Sequence, residues 1–187
     1  MMGDDLLRGE KVHLFPLQDA DLDAMTEWYC TDFGMLRRLG AHPIYPYVRA
    51  DLERWQQTNM EDPTRFDFGI RALEDDDLLG FCVLFRVDWR SRQAELGITL
   101  GVDAKRGQGY GRDAVRVLLR YGFMELNLHR VYLVVQGDNT RAIRSYERAG
   151  FVHEGAAREA MLREGRYTDL IWMSILRHEW DMMVTRS

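Results

Sequence analysis

Cysteine is scarce: Cys30 and Cys82 are the only two. Cys82 sits in the apolar run "FCVLF", the setting of a small core residue, so a disulfide framework is not expected and a reducing compartment fits. No cysteine–histidine cluster has the spacing of a zinc site. No run of about 18 apolar residues exists, which excludes a membrane-spanning helix of the usual length. The opening "MMGDDLLRGEK" is acidic and has no basic stretch leading into an apolar one, so no secretion signal is expected and the reading is cytoplasmic. Repeats, low-complexity tracts and linker-like stretches are missing too. One domain is therefore expected over residues 1–187, with its core at about 11–176.

Net positive charge is also lacking. The formal charge is −5, which argues against a nucleic-acid backbone as partner. The charge is uneven. Residues 1–93 hold 18 acidic and 11 basic side chains (−7), and residues 94–187 hold 12 and 14 (+2). Such a split suits a cationic ligand on one side and an anionic one on the other; scatter over a solvated surface is the plainer alternative.

What is present is a clear order of periodicities. "KVHLFPL" alternates like a strand. "DADLDAMTEWYC" follows with helical spacing and Asp19 as N-cap. Residues 31–48 are irregular, and a second helix is expected around "ADLERWQQTNME". "FDFGIRAL" and "LLGFCVLFRV" read as strands joined at "EDDD". The second is apolar on both faces and belongs near the middle of a sheet. "QAELGITLGV" is the fourth strand. After a glycine-rich loop, Val115, Leu118, Leu119, Phe123 and Leu126 form one apolar helical face. "RVYLVVQ" is a fifth strand, and "NTRAIRSYERAG" a helix closed by Gly150. The stretch from Phe151 to Leu176 reads as a long hairpin turning at Glu164–Gly165. The fold class expected is α+β, a mixed, mostly antiparallel sheet with about four flanking helices.

The loop "VDAKRGQGYGRDA" places Gly107, Gly109 and Gly111 at alternate positions between a strand and a helix. The first amides of a helix have no internal acceptor, the dipole adds partial positive charge, and glycine allows close approach. Such an end seats phosphate. The dinucleotide fingerprint fails because Arg112 stands where its third glycine is needed, and the nucleotide-hydrolase loop fails because Arg106 stands at its second. The pattern that matches is Arg-x-x-Gly-x-Gly, at Arg106, Gly109 and Gly111.

Taken with "AELGITL" before the loop and "NLHRVYLVVQGDNTRAIRSYERAGF" after it, the chain resembles the GNAT superfamily of N-acetyltransferases. It is most similar to the RimJ/RimL-like branch, and similar also to spermidine acetyltransferases. The resemblance implies acetyl-CoA as co-substrate and a sheet splayed between its fourth and fifth strands. The backbone of Arg106, Gly107, Gln108, Gly109, Tyr110, Gly111 and Arg112 would wrap the pyrophosphate. The strand end at Leu100, Gly101 and Val102 would pair with pantetheine as an added strand. Asn139 and Ala142 would add contacts from the following helix, and Arg141, Ser145 and Arg148 on it would touch the adenosine phosphates, solvation being the plainer alternative for its charged side chains.

Acetyl transfer to an amine sets three requirements. An alkylammonium of pKa about 10.4 is neutral only about once in 2,500 at pH 7, a cost of roughly 4.6 kcal/mol, so a base is useful. Glu95 is the candidate, although a strand glutamate also serves simply to pair across a sheet. The developing oxyanion needs a donor, for which the Leu100 amide is chosen. The departing thiolate needs a proton, for which Tyr146 in "YERAGF" is chosen, sharing a face with Asn139 seven residues before it. The acceptor is expected across residues 31–48 and the first two helices; Trp28, Tyr45, Tyr47 and Trp55 are candidates to line it, with a place in the core an equal alternative for each. The acidic first half favours a cationic amine: a polyamine, a protein N-terminus, an aminoglycoside or another small amine. By analogy a homodimer is possible. A non-catalytic acyl-CoA sensor on the same fold is the alternative function.

Overall fold

The fold is described from a computed structural model that covers residues 6–31, 47–101 and 107–186. The element order is β1 (Val12–Phe15), α1 (Asp21–Thr31), α2 (Arg49–Met60), β2 (Phe66–Ala72), β3 (Leu78–Asp88), β4 (Gln93–Leu100), α3 (Tyr110–Met124), β5 (Arg130–Gln136), α4 (Thr140–Arg148), β6 (Val152–Arg163), β7 (Arg166–Leu176) and α5 (Arg177–Arg186). The strands form one sheet in the order β1-β2-β3-β4-β5-β7-β6. All neighbours are antiparallel except β4 and β5. A parallel pair needs a helical crossover, and α3 supplies it. The C-terminal helix α5 is an addition to the expected set.

Two apolar clusters cover the two sheet faces. The larger joins Leu84, Ala94, Leu96, Val131 and Leu133 to Val115, Leu118, Leu119 and Phe123 of α3, and Tyr146 of α4 packs at its edge. The smaller joins Phe81 to Leu22 and Met25 of α1 and Leu52 of α2. Side chains alternate along a strand. Phe81, Val83 and Phe85 therefore share the α1/α2 face with their partners Thr99, Gly97 and Glu95. Cys82 points the other way, fully buried, and burial raises its thiol pKa. The side chain of Cys30 lies outside the described residues.

Two local expectations hold for physical reasons. Gly150 closes α4 at φ +97°, and Glu164 (φ +48°) with Gly165 (φ +75°) makes the two-residue turn that the twist of a β6–β7 hairpin prefers. One fails: Asp19 does not cap α1. Asp21, the first residue of α1, instead reaches back to the preceding turn, its Oδ2 accepting from the Gln18 amide at 2.9 Å while Arg71 donates to Oδ1 at 2.7 Å. A buried carboxylate needs donors, and Asp21 lies where two can reach it.

Asp113, in the first turn of α3, ties that helix to β1. Its buried carboxylate accepts from the amides of Glu10 (3.2 Å), Lys11 (2.7 Å) and Val12 (3.0 Å). Gly9 packs so close that a Cβ there would strike this carboxylate. Asp113→Ala leaves these amides without their acceptor, a loss on the order of 3 kcal/mol. For a domain of this size the melting temperature should fall by roughly 10 °C in a thermal unfolding scan.

Candidate active site

β4 and β5 pair only at Gln93↔Arg130, Ala94↔Val131 and Glu95↔Tyr132. Beyond that point the two strands no longer pair, while β4 stays paired with β3 through Leu100. The direction of its amides follows from register. Gly101 N–H donates to Leu79 O at 2.9 Å. Antiparallel strands alternate bonded and non-bonded pairs, so Gly80↔Leu100 and Cys82↔Ile98 are non-bonded pairs. The N–H groups of Ile98 and Leu100 consequently turn away from β3, into the split. Leu100 was expected to do this. Ile98 was not, because no periodicity in a sequence reveals which strand carries the bond. The amide of Gly101 is spent on Leu79, so Gly101 has no N–H to offer a ligand. Trp28 of α1 covers Gly101, where an added Cβ would meet the indole.

The wide end of the split meets the start of α3. Gly109 is the N-cap at φ +94°, and Gly107 has φ +82°. Space does not demand these glycines, since a Cβ at Gly107 meets nothing within 4 Å and one at Gly109 meets only Lys11 at 3.9 Å. Conformation demands them. Gly111 lies against the Leu100 side chain, 3.3 Å from where its Cβ would stand, so the helix end sits directly over the end of β4. Gly111 and Arg112 are in the first turn, whose amides lack intrahelical acceptors. Gln108 is exposed. The Tyr110 ring is buried and its hydroxyl donates to Glu74 at 2.7 Å, so that side chain anchors the loop, leaving only backbone for a ligand. Val102 and Arg106 lie outside the described residues.

Lys11 was missed by sequence reasoning. Its ammonium sits 5.3 Å from the Tyr110 ring centroid, and its side chain passes beside Gly109. It adds positive charge to the loop from a position about a hundred residues away in the chain, fixed there by the Asp113 carboxylate.

Helix α4 departs from expectation at its start. Asn139 is the N-cap and not a helical residue: its Oδ1 accepts from Ala142 N–H at 3.2 Å. The carbonyl of Asn139 and the amide of Ala142 are thus used within the cap. Ser145 is partly covered, while Arg141 and Arg148 are exposed at opposite ends of the helix. Tyr146 packs edge-on to Phe151, ring centroids 5.8 Å apart. Desolvation pushes its phenol up to about 12. Among the described residues its hydroxyl has no hydrogen-bond partner.

Glu95 stands at the apex of the split, on the α1/α2 face. Its side chain is 13% exposed, and Oε2 accepts from Arg86 Nη1 at 2.7 Å. Oε1 has no partner among the described residues. Its neighbour Tyr132 stacks on Trp172 (6.0 Å, 21°) beneath the Arg130 guanidinium. Burial and the nearby Glu95 charge raise the Tyr132 phenol. Carboxylates on this face are balanced by arginines: Asp67 by Arg65 at 2.6 Å and Glu154 by Arg130 at 2.5 Å. Trp28, Tyr47 and Trp55 pack as partly buried side chains against the second apolar cluster, the core placement that was the alternative to lining an acceptor path; Tyr45 lies outside the described residues. No group of three or more metal-ligating side chains occurs among the described residues.

A family model described as "Acetyltransferase (GNAT) domain" matches residues 11–152. A spermidine N(1)-acetyltransferase of Vibrio cholerae is 32% identical over 72% of this chain and 78% of its own length. A putative ribosomal N-acetyltransferase of Bacillus subtilis, YdaF, is 29% identical over 78% and 81%. The crystal structure of spermidine N-acetyltransferase from Vibrio cholerae in complex with CoA and spermine superposes with a TM-score of 0.82 at 27% identity, covering 90% of this chain and 97% of that one.

Proposed function

The chain belongs to the GNAT acetyltransferase family, and from that premise we propose that it moves an acetyl group from acetyl-CoA to a primary amine across the split between β4 and β5. The observation that carries this reading is the split itself: two strand amides turned into it, with a glycine-capped helix end at its mouth. The fit is chemical. Left-handed glycines, first-turn amides and Lys11 suit a pyrophosphate. A thioester arm brings amides and carbonyls of the kind that a strand edge turned into a gap can meet.

The two candidate proton-transfer groups lie on opposite faces of the sheet. Glu95, on the α1/α2 face, takes the proton of the attacking amine. Tyr146, among the residues of the α3/α4 face, gives its proton to the departing sulfur. The Leu100 amide, with Ile98 as the second donor, stabilises the oxyanion that develops between them. The amine adds to the thioester carbonyl on the Glu95 side, and the tetrahedral intermediate then collapses, breaking the carbon–sulfur bond as Tyr146 protonates the sulfur. Polyamines head the list of acceptors, because relatives named for spermidine resemble this chain over most of its length. A protein N-terminus comes second.

A free-thiol assay over a panel of amines tests the activity, with spermidine, spermine and an N-terminal peptide included. Turnover of at least one is expected; none across the panel would overturn the reading. Calorimetry with coenzyme A tests the loop. Gly109→Ala forces a side chain to φ +94°, at a cost of about 1–2 kcal/mol, and should weaken coenzyme A binding about tenfold. Unchanged affinity would remove the loop from the site.

A further inference from the structure

Strands β3 and β4 pair regularly up to Phe85↔Glu95 and resume at Asp88↔Gln93, so Arg86 and Val87 together face Ala94. This is a bulge. In the kind whose first residue is left-handed, that residue is ordinarily glycine. Here it is Arg86, at φ +52°. Asp76, Arg92, Asn127 and Glu164 also have positive φ, but they lie in connections between elements. Among the described non-glycine residues with positive φ, only Arg86 and Glu159 lie inside strands.

The arginine makes two contacts from this strained position. Its Nη1 lies 2.7 Å from Glu95 Oε2, and its guanidinium lies 5.3 Å from the Phe85 ring centroid. The Arg86 side chain is 72% exposed and that of Glu95 is 13% exposed. Ion pairs with so exposed a partner add little stability, so the pair is a poor reason for stability alone to keep an arginine in a glycine position. Backbone strain of this sort gathers where a side chain must be aimed.

We infer that Arg86 is a positioning residue for acetyl transfer: the bulge aims its guanidinium at Oε2 of Glu95, fixing the carboxylate so that Oε1 is left for the acceptor amine. The inference rests on the reading of Glu95 as the base. The other groups facing Glu95 are Tyr132 of β5 and, above that ring, Arg130, whose guanidinium is held by Gln93 and Glu154.

The test uses Arg86→Gly, which suits the backbone angle, and Arg86→Lys, which keeps the charge. Arg86→Gly should melt at the same or a higher temperature and bind coenzyme A as before, while kcat falls about tenfold and the KM for the amine changes less. Arg86→Lys should recover part of the lost rate. Adding Arg86→Gly to Glu95→Gln should slow the enzyme no further than Glu95→Gln alone. Full activity in Arg86→Gly, additive losses in the double variant, or parallel losses of stability and rate would each overturn the assignment. A Glu95→Gln enzyme with the full rate would instead remove the base reading, and Arg86 with it. A slow Glu95→Gln beside a fully active Arg86→Gly would remove Arg86 alone.

Discussion

Tyr146→Phe should lower kcat about a hundredfold while leaving coenzyme A affinity and folding intact. The ring stays, so its edge-on contact with Phe151 stays. The hydroxyl has no hydrogen-bond partner among the described residues, so deleting it removes no protein bond, and relief of a desolvated polar group offsets any lost contact. What goes is the proton for the leaving sulfur. An alkyl thiolate has pKa about 8.5, and its expulsion without a donor raises the barrier. Thiol-release kinetics, calorimetry and a melting curve on one preparation check all three points. An unchanged kcat would reduce Tyr146 to a packing residue.

The same phenol makes a statement about pH. Burial pushes it up to about 12, so it keeps its proton throughout the working range, and kcat should show no alkaline fall from Tyr146 below that value. The sign for stability is opposite to that of a salt-bridged carboxylate. An unfolded tyrosine ionises near pH 10 while the folded one retains its proton. Between pH 10 and about 12 the folded state therefore binds more protons, and stability falls as pH rises. Tyr121 and Tyr132 are raised by burial as well and add to this fall. Melting temperatures at pH 9 and pH 11 should show the drop, and Tyr146→Phe should reduce it.

Glu95→Gln is expected to lower kcat by about two to three powers of ten at pH 7. Glutamine matches glutamate in shape, and its carbonyl oxygen still accepts from Arg86, so the β3–β4 bulge and the melting temperature should be preserved. The carboxylate's ability to take a proton is lost. Because the acceptor amine must then reach its neutral form unaided, the deficit should shrink as pH rises toward the amine's own pKa. A rate–pH series for both proteins measures this. If the variant matches the native rate at pH 7, Glu95 is only the cross-strand partner of Arg86.

The arrangement of these groups was legible in the sequence to different depths. Strand β5 over 130–136, the apolar stripe of α3, the cap at Gly150 and the turn at Glu164–Gly165 each depend on residues within a few positions of one another. Alternation, helical spacing and glycine placement carry such information directly. The glycine loop was visible for the same reason, since a strand, three close glycines and a helix start are contiguous. Tyr146 and Glu95 came from resemblance to a family, and their spacing alone did not single them out.

Asn139 shows where local reading ends. Its seven-residue distance from Tyr146 suggested one helical face, yet the chain starts α4 one residue later and turns the Asn139 carbonyl to the Ala142 amide. Competition between a side chain and the backbone for the same N–H decides such a boundary.

The sequence by itself determined the order of elements from β1 to β7 and the glycine loop ahead of α3, because these depend on nearest neighbours and composition. Only the tertiary structure decided that β4 leaves β5 after Glu95, that Ile98 and Leu100 aim their amides into the gap, that Asp113 fastens Lys11 beside the loop, and that a bulge turns Arg86 onto Glu95. Each of these is a contact between separate elements, and all but the Asp113 tie, which joins a helix to the first strand, are set by register across the sheet. A one-residue slip reverses every such direction and leaves the sequence pattern unaltered.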